Sequence, residues 1–171
     1  MLIAATHIEN VFVVDQDSHH RLGVVRQTVF DSDRGTLKAV AVRTTGLIPT
    51  LRYLSFQDII TFESHAILCD ENALCELEDL PRVQELIARR CSILNQAAET
   101  VSGKHLGRVV ELMIDEGTGH ITQYHTQSLR DKRIFLTGDV VEITPSAVKF
   151  RDDIAVVAEE AEVPAAETVA A

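Results

Sequence analysis

The residues of this chain that could do chemistry are scattered along it. His19 and His20 are adjacent, and adjacent side chains in an extended segment point to opposite faces, so this pair is a poor chelator. The other histidines follow no spacing that brings together the three or four ligands of a metal site. The histidine pattern therefore predicts surface positions and no metal centre.

The cysteines do not point to catalysis either. Cys69, Cys75 and Cys91 form no Cys-x-x-Cys pair, and their odd number does not suit a disulfide framework. In apolar surroundings a cysteine behaves as a small hydrophobic residue. The pattern of reduced thiols and an N-terminus without the features of a signal peptide predict a cytoplasmic protein. No stretch has the length of apolar sequence needed to span a bilayer, so we expect no direct membrane insertion.

Two carboxylates stand at matching positions of an internal repeat. The repeat is carried by two triplets of identical spacing, Gly23, Asp31 and Gly35, then Gly107, Asp115 and Gly119. Paired carboxylates can act as acid and base, but an aspartate that opens a glycine-ended turn accepts hydrogen bonds from that turn. We expect this structural role for both aspartates. The glycines before the strands allow a bulge or tight bend, and neither opens a phosphate-binding loop, so no cofactor is predicted.

The elements around these triplets have the pattern of short strands. Apolar and polar residues alternate on both sides of each turn, which predicts one hairpin over residues 24–42 and a second over 109–126. Further strands are predicted near 53–55 and 66–68, with counterparts near 134–136 and 147–150. Short strands with regular turns favour closure into a small barrel, which removes exposed edges.

The two copies are joined by a segment with helical spacing. Asp79 is a candidate cap, Pro81 suits a first turn, and Glu85 can pair with Arg89 four residues on. The residues after 154 carry four Glu and no Lys or Arg, which predicts disorder. The predicted fold is all-β, with the units 1–70 (first barrel), 71–91 (helical linker), 92–154 (second barrel) and 155–171 (disordered acidic tail).

Each copy resembles the PRC-barrel domain, which occurs in the cytoplasmic part of the photosynthetic reaction-centre H subunit and at the C-terminus of a ribosome maturation protein. The matching residues of the first copy are 11–13, Gly23, Val25, Phe30, Asp31, Gly35, 37–42 and 56–59. Those of the second are 106–109, Ile114, Asp115, Gly119, 121–124, Asp139 and Val140. The resemblance implies a binding module without catalysis. The entry strand of the second copy, 97–102, is more polar than the family pattern.

Charge narrows the choice of partner. The formal net charge is -10, and a phosphate surface needs a basic face, so nucleic acid is a disfavoured partner. Arg130, Lys132 and Arg133 form the one local basic stretch that we single out. We expect a non-enzymatic adaptor that binds a protein partner. An RNA-processing or ribosome-associated factor, and a small-molecule- or metal-binding regulator, are the alternatives.

One loop is a candidate contact site. The segment 43–51 is longer than its counterpart in the second copy and carries Leu47, Ile48, Pro49 and Leu51. Apolar side chains on a loop tip often mark a contact with another protein or with a second copy of the chain. The alternative is that the loop folds back over the mouth of its own barrel.

Overall fold

The computed structural model describes residues 1–153 and 157–158, and β-strands dominate it. The prediction of an all-β fold is confirmed. The strands of the first half are β1 (Leu2–Ala4), β2 (Phe12–Asp15), β3 (Arg21–Asp31), β4 (Thr36–Thr44), β5 (Leu51–Ser55), β6 (Ile59–Phe62) and β7 (Ala66–Cys69). A short helix, α1 (Ala5–Ile8), follows β1. Helix α2 (Pro81–Ala88) joins the halves, with short 3-10 turns at Phe56–Asp58, Glu71–Ala73 and Leu77–Asp79.

The second half repeats this order of elements. Its strands are β8 (Ala97–Thr100), β9 (His105–Asp115), β10 (Ile121–Gln127), β11 (Lys132–Leu136), β12 (Val140–Ile143) and β13 (Ala147–Phe150). A 3-10 turn, Thr137–Asp139, precedes β12, as Phe56–Asp58 precedes β6. The two-residue strand β14 (Val157–Ala158) ends the described chain.

The two sheets have the same topology. The first runs β5-β4-β3-β2-β7-β6, and the second runs β11-β10-β9-β8-β13-β12 with β14 beside β11. In each sheet one neighbouring pair, β2 with β7 and β8 with β13, is parallel. The turn residues match as well, because Asn10 and Asn95 both have positive φ and donate to Val25 and Val109 respectively. The repeat seen in the sequence is therefore a repeat of backbone structure.

The halves meet through their equivalent hairpin turns. The amide of Leu37 donates to the carbonyl of Gly119 at 2.8 Å, and the amide of Ile121 donates to the carbonyl of Gly35 at 2.9 Å. Each bond becomes the other when the halves are exchanged, because Gly35 and Leu37 correspond to Gly119 and Ile121. The contact is therefore two-fold symmetric in its backbone bonds, like an isologous dimer interface built within one chain.

The leading segments cross between the halves. Strand β1 pairs with β9 of the second half, and α1 packs on the same strand. The hydroxyl and amide of Thr6 both donate to the carboxylate of Glu111 on β9. Helix α2 precedes the second half and packs on β3 of the first. Strand β1 therefore belongs in space with the second sheet, and α1 contacts both β9 and β3.

Apolar residues from inside both sheets form one contiguous core. It contains Val13, Val25 and Leu54 from the first sheet together with Val109 and Phe135 from the second, and all five are at most 1% exposed. The sequence analysis treated the copies as separate barrels, but apolar residues of α1 lie in this core between them. Local periodicity identifies the buried face of a strand but not the distant surface that covers it.

Helix α2 begins where the sequence indicated, although by a different cap. Pro81 is its first residue and Leu80 its N-cap, while the carboxylate of Asp79 accepts from the amide of Glu76 in the preceding 3-10 turn. The predicted N-cap at Asp79 is therefore wrong by one residue. The predicted pair of Glu85 with Arg89 is present.

The predicted tail is described at two residues only. Val157 and Ala158 pair with Ile134 and Arg133 of β11, so at these positions the chain lies on a sheet edge. The rest of the predicted tail, 155–156 and 159–171, lies outside the described residues.

Candidate interaction surface

The loop 45–50 between β4 and β5 is held at its base. The amide of Thr44 donates to the carbonyl of Thr50 at 2.9 Å, and the amide of Thr50 donates to the hydroxyl of Thr44 at 3.0 Å. The hydroxyl of Thr45 donates to the carbonyl of Arg21 at 2.9 Å. These bonds fix where the loop leaves the sheet.

The tip of this loop presents apolar side chains to solvent. Leu47 is fully exposed, Ile48 is 81% exposed and Leu51 is 52% exposed. The alternative that these residues fold back over the barrel mouth is therefore wrong. Exposed apolar side chains on one loop are the kind of surface that another protein covers.

The equivalent loop of the second half, 128–131, has an apolar tip that sequence reasoning missed. Leu129 is fully exposed there, in a loop closed by a 2.9 Å bond from the amide of Ser128 to the carbonyl of Asp131. The basic stretch adjoins it, and Arg133 forms an ion pair with Asp131 at 3.1 Å. A comparison of the two loops would have found Leu129, because it is the apolar residue of the loop between β10 and β11, the strands that match β4 and β5.

Both loops lie at the strand ends far from the contact between the halves. The hairpin turns that meet are at the start of β4 and β10, whereas the loops follow the ends of these strands. Nine residues of β4 span roughly 25–30 Å at about 3.3 Å per residue. The molecule therefore carries two equivalent apolar tips, one for each half, both remote from the pseudo-two-fold contact.

The glycines of the repeat are required by close backbone approach. A Cβ on Gly23 would lie 2.5 Å from the carbonyl oxygen of Arg43, and one on Gly107 would lie 2.3 Å from that of Gln127. Gly107 also has a φ of +108°. These positions shape the sheets and line no binding site that we identify.

The two aspartates stabilise turns. Asp31 Oδ1 accepts from the amide of Asp33 at 3.0 Å, and Asp115 Oδ1 accepts from the amide of Thr118 at 2.9 Å. The hydrogen bonds from Thr118 lower the pKa of Asp115. Asp31 is also bound by Arg82 of α2, with Nη2–Oδ1 at 2.9 Å and Nε–Oδ2 at 3.1 Å. Nothing in the sequence pattern linked these last two residues, which are 51 positions apart.

The thiols and imidazoles do not converge. Burial, followed by the negative charge of Asp15, raises the pKa of Cys69 to about 11, so this thiol is protonated at neutral pH. His19 contacts the carbonyl of Asp17, and His125 contacts the side chain of Gln123. Within residues 1–153, no group of three or more His, Cys, Asp and Glu side chains is placed to hold a metal ion.

Two grooves follow the junction of the halves. One, of about 600 Å³, lies between Phe56 and Ile60 on the first half and Gly117 on the second. The other, of about 530 Å³, lies between α2 and the strands β3 and β9, with Leu86 and Val110 on its walls. Among the helices described, none has the length and apolar character needed to cross a membrane.

No family model matches the chain, and no curated protein matches it.

Proposed function

We propose that this chain is a non-catalytic interaction module of the PRC-barrel type, in which each sheet forms one barrel and α2 is the linker. Its contact sites are the loops 45–50 and 128–131, through which it binds a protein partner in the cytoplasm. The fold resemblance is supported by the matched strand order of the two sheets and by the recurrence of the glycine–aspartate–glycine spacing.

The exposure of Leu47 and Ile48 on a loop with a fixed base carries the functional proposal. Burying an aliphatic side chain of this size contributes about 1.5–3 kcal/mol relative to leaving it in water. A protein surface that covered both residues would therefore gain about 3–6 kcal/mol toward the contact. The fixed base lowers the entropic cost of presenting them.

The second loop extends this proposal to an adaptor with two ends. Leu129 lies in the loop between β10 and β11, as Leu47 lies in the loop between β4 and β5, and both loops are at the strand ends away from the contact between the halves. Two linked contacts raise the overall affinity far above that of either alone when a partner or assembly can engage both. Self-association through the same tips is the homo-oligomeric form of this function.

The test removes the apolar tips from the full chain. The double variant Leu47→Ser/Ile48→Ser should weaken capture of partners in a pull-down read by mass spectrometry, or self-association in sedimentation velocity, by about tenfold or more. The matched control is Val101→Ser/Val141→Ser, which removes two exposed aliphatic side chains elsewhere. Both variants should keep the free energy of unfolding within about 0.5 kcal/mol, because exposed side chains contribute little to it.

Capture and self-association equal to those of the wild type would remove the first loop from the proposal. Leu129→Ser then tests the second loop by the same measurements. A large loss of stability in the double variant would show that the loop is part of the core and would contradict its role as a contact site.

A further inference from the structure

A third cleft, of about 440 Å³, opens beside the paired hairpin turns and has walls from both halves. Its polar side chains come from the two turns and the start of β4, and they include Arg34, Thr36, Lys38, Thr118 and His120. No carboxylate of the described residues lines it, although the chain has a net charge of -10. The cleft is therefore a basic site on an acidic protein.

Thr36 and His120 face each other across the contact between the halves. They form an antiparallel bridge that lies between the two backbone hydrogen bonds of the contact. In this geometry the opposed residues are a non-hydrogen-bonded pair, and their side chains lie close together on one face. The hydroxyl of Thr118 already donates to Asp115 at 2.8 Å, so it is not a free donor. The hydroxyl of Thr36 and the imidazole of His120 are thus the neutral donors that the two halves bring together.

Lys38 is directed by a β-bulge. Two neighbouring residues of β3 pair with Leu37 and Ala39 of β4, so Lys38 between them is the extra residue. A bulge turns a side chain away from the regular alternation of its strand. The second half has the same irregularity at Thr122, which carries no charge. The bulge is therefore common to both halves, whereas the ammonium group belongs to the first half alone.

Phe56 forms an apolar wall of the cleft and reaches the other half. A Cβ on Gly119 would lie 3.0 Å from Cε1 of Phe56, so the ring rests on the backbone of the second turn. The equivalent of Phe56 is Thr137, whose hydroxyl donates to the carbonyl of Ile121. The positions related by the pseudo-two-fold contact therefore lack both the ammonium group and the aromatic ring.

The two cations of the cleft are not neutralised within the described chain. Neither Arg34 nor Lys38 forms an ion pair with a carboxylate of residues 1–153. Asp33, next to Arg34 in the sequence, binds Arg82 and Arg89 instead. A concave site lined by charges of one sign concentrates ligands of the opposite sign. The charge of this cleft therefore favours an anion.

We propose that this cleft binds a small-molecule phosphomonoester that carries an aromatic ring. Arg34 and Lys38 neutralise the phosphate, and Thr36 and His120 donate hydrogen bonds to its oxygens. The ring lies against Phe56, where it covers an apolar surface. A phosphate suits these donors better than a carboxylate does, because its three terminal oxygens can accept from several directions.

The position of the cleft gives such a ligand a consequence for the whole molecule. Its donors come from both hairpin turns, so a bound phosphomonoester ties the two halves together at their contact. The volume of about 440 Å³ is sufficient for a ligand of this size. This inference goes beyond the loop contacts proposed above and does not depend on them.

Titration of the full chain with phenyl phosphate, followed by amide NMR, tests the proposal. We expect saturable binding with a dissociation constant of about 1 mM or below at low salt, and the largest shifts at the amides of 34–38 and 118–121. Inorganic phosphate should bind at least about fivefold more weakly, since it has no ring to cover Phe56. Phenyl phosphate at about ten times its dissociation constant should raise the melting temperature by about 3–6 °C.

Charge-removing variants locate the site. Arg34→Gln and Lys38→Gln should each weaken phenyl phosphate binding by at least about fivefold. The matched control Lys104→Gln removes the same charge from an exposed position just before β9, whereas the cleft lies beyond its other end. The eleven residues of β9 separate the two by roughly 30–35 Å at about 3.3 Å per residue, so the control should bind as the wild type does. Phe56→Leu should weaken phenyl phosphate and leave inorganic phosphate unchanged.

Three results would overturn the proposal. The first is no saturable shift at phenyl phosphate concentrations up to about 10 mM. The second is equal weakening by Lys38→Gln and Lys104→Gln, which would show general attraction to cations without a site. The third is tighter binding of a single-stranded oligonucleotide than of phenyl phosphate at the same amides, which would assign the cleft to nucleic acid. Equal loss of both ligands in Phe56→Leu would contradict the placement of the ring.

Discussion

The two hairpin turns of this molecule share a backbone but differ in what holds their aspartates. Gly35 donates to the carbonyl of Asp31 and Gly119 donates to that of Asp115, both at 2.8 Å. The carboxylate of Asp31 is 2% exposed and is bound by the guanidinium of Arg82. The carboxylate of Asp115 is bound instead by the hydroxyl of Thr118, at 2.8 Å within its own turn.

The different partners of Asp31 and Asp115 show which features of a repeated turn are specified by the turn's own residues. The turn conformation is specified by residues within it and therefore survives in both copies. The contacts that the aspartate makes outside its turn depend on which element packs over that turn, and in the described chain α2 packs over the first turn. A buried carboxylate is acceptable there because Arg82, Asp33, Glu85 and Arg89 form a connected network of ion pairs around it.

The largest expected effect tests the shared backbone. Gly107→Ala would place a Cβ 2.3 Å from the carbonyl oxygen of Gln127 at a φ of +108°, which combines a clash with backbone strain. We expect a loss of about 3–5 kcal/mol in the free energy of unfolding, measured in urea. Gly23→Ala makes the same clash without positive φ, so it should cost less.

Gly138→Ala is the control for both, because nothing lies within 4 Å of its added Cβ and its φ is not positive. It should leave the free energy of unfolding unchanged or raise it by up to about 1 kcal/mol. Equal and small losses at Gly23 and Gly107 would show that the sheets can relax at these points, and would weaken the structural equivalence of the halves.

The next effect tests the difference between the turns. Arg82→Met removes the guanidinium and leaves the buried carboxylate of Asp31 with its turn amides alone. A buried group left partly unsatisfied costs about 1–3 kcal/mol. Thr118→Val removes one hydroxyl donor from the more exposed Asp115, so the loss in urea unfolding should be smaller. A larger loss for Thr118→Val would reverse our assignment of which turn depends on tertiary contacts.

Local structure was largely readable from the sequence. The hairpins found at β3–β4 and β9–β10 were predicted from period-two alternation and from Asp and Gly at fixed positions, and a helix was predicted where α2 lies. The tips at Leu47 and Ile48 were named from composition and length. These features depend on residues within a few positions of one another.

The contacts between residues distant in the sequence could not be predicted from it. Strand β1 has three residues, and its pairing with β9 links positions more than 100 apart. The pairing of Arg82 with Asp31 has no counterpart among the described residues of the second copy, so the repeat gave no signal for it. Leu129 stands alone among polar residues, so nothing in its local sequence marked it as an exposed apolar tip.

The smallest expected change in the free energy of unfolding concerns the turns that follow β2 and β8. In the first, Asp15 accepts from the hydroxyl and amide of Ser18 at 2.7 and 2.8 Å and from the amide of Glu71 at 2.9 Å. In the second, Thr100 stands at the place of Asp15, and the carboxylate comes from Asp152, which accepts from the hydroxyl of Ser102 at 2.6 Å. In both halves a hydrogen bond therefore joins the turn after β2 or β8 to the segment after β7 or β13. The acceptor carboxylate lies in the turn in the first half and in the later segment in the second half.

Both carboxylates should therefore make stability depend on pH in the same acidic window. Hydrogen bonds from Ser18 lower the pKa of Asp15 from 3.8 to about 2, and those from Ser102 lower the pKa of Asp152. A folded-state pKa below the unfolded value adds stability that is complete above the unfolded pKa and is lost as pH falls through the folded one.

Ser18→Ala should reduce the free energy of unfolding at pH 7. Its difference from wild type should shrink as pH falls from about 4 to about 2, measured by urea unfolding. Ser102→Ala should show the same sign with a smaller change, because its carboxylate partner Asp152 is exposed whereas Asp15 is buried. A Ser18→Ala difference that stayed constant down to pH 2 would mean that the hydroxyl does not act through the charge of Asp15, and the equivalence of the two turns would then be one of backbone alone.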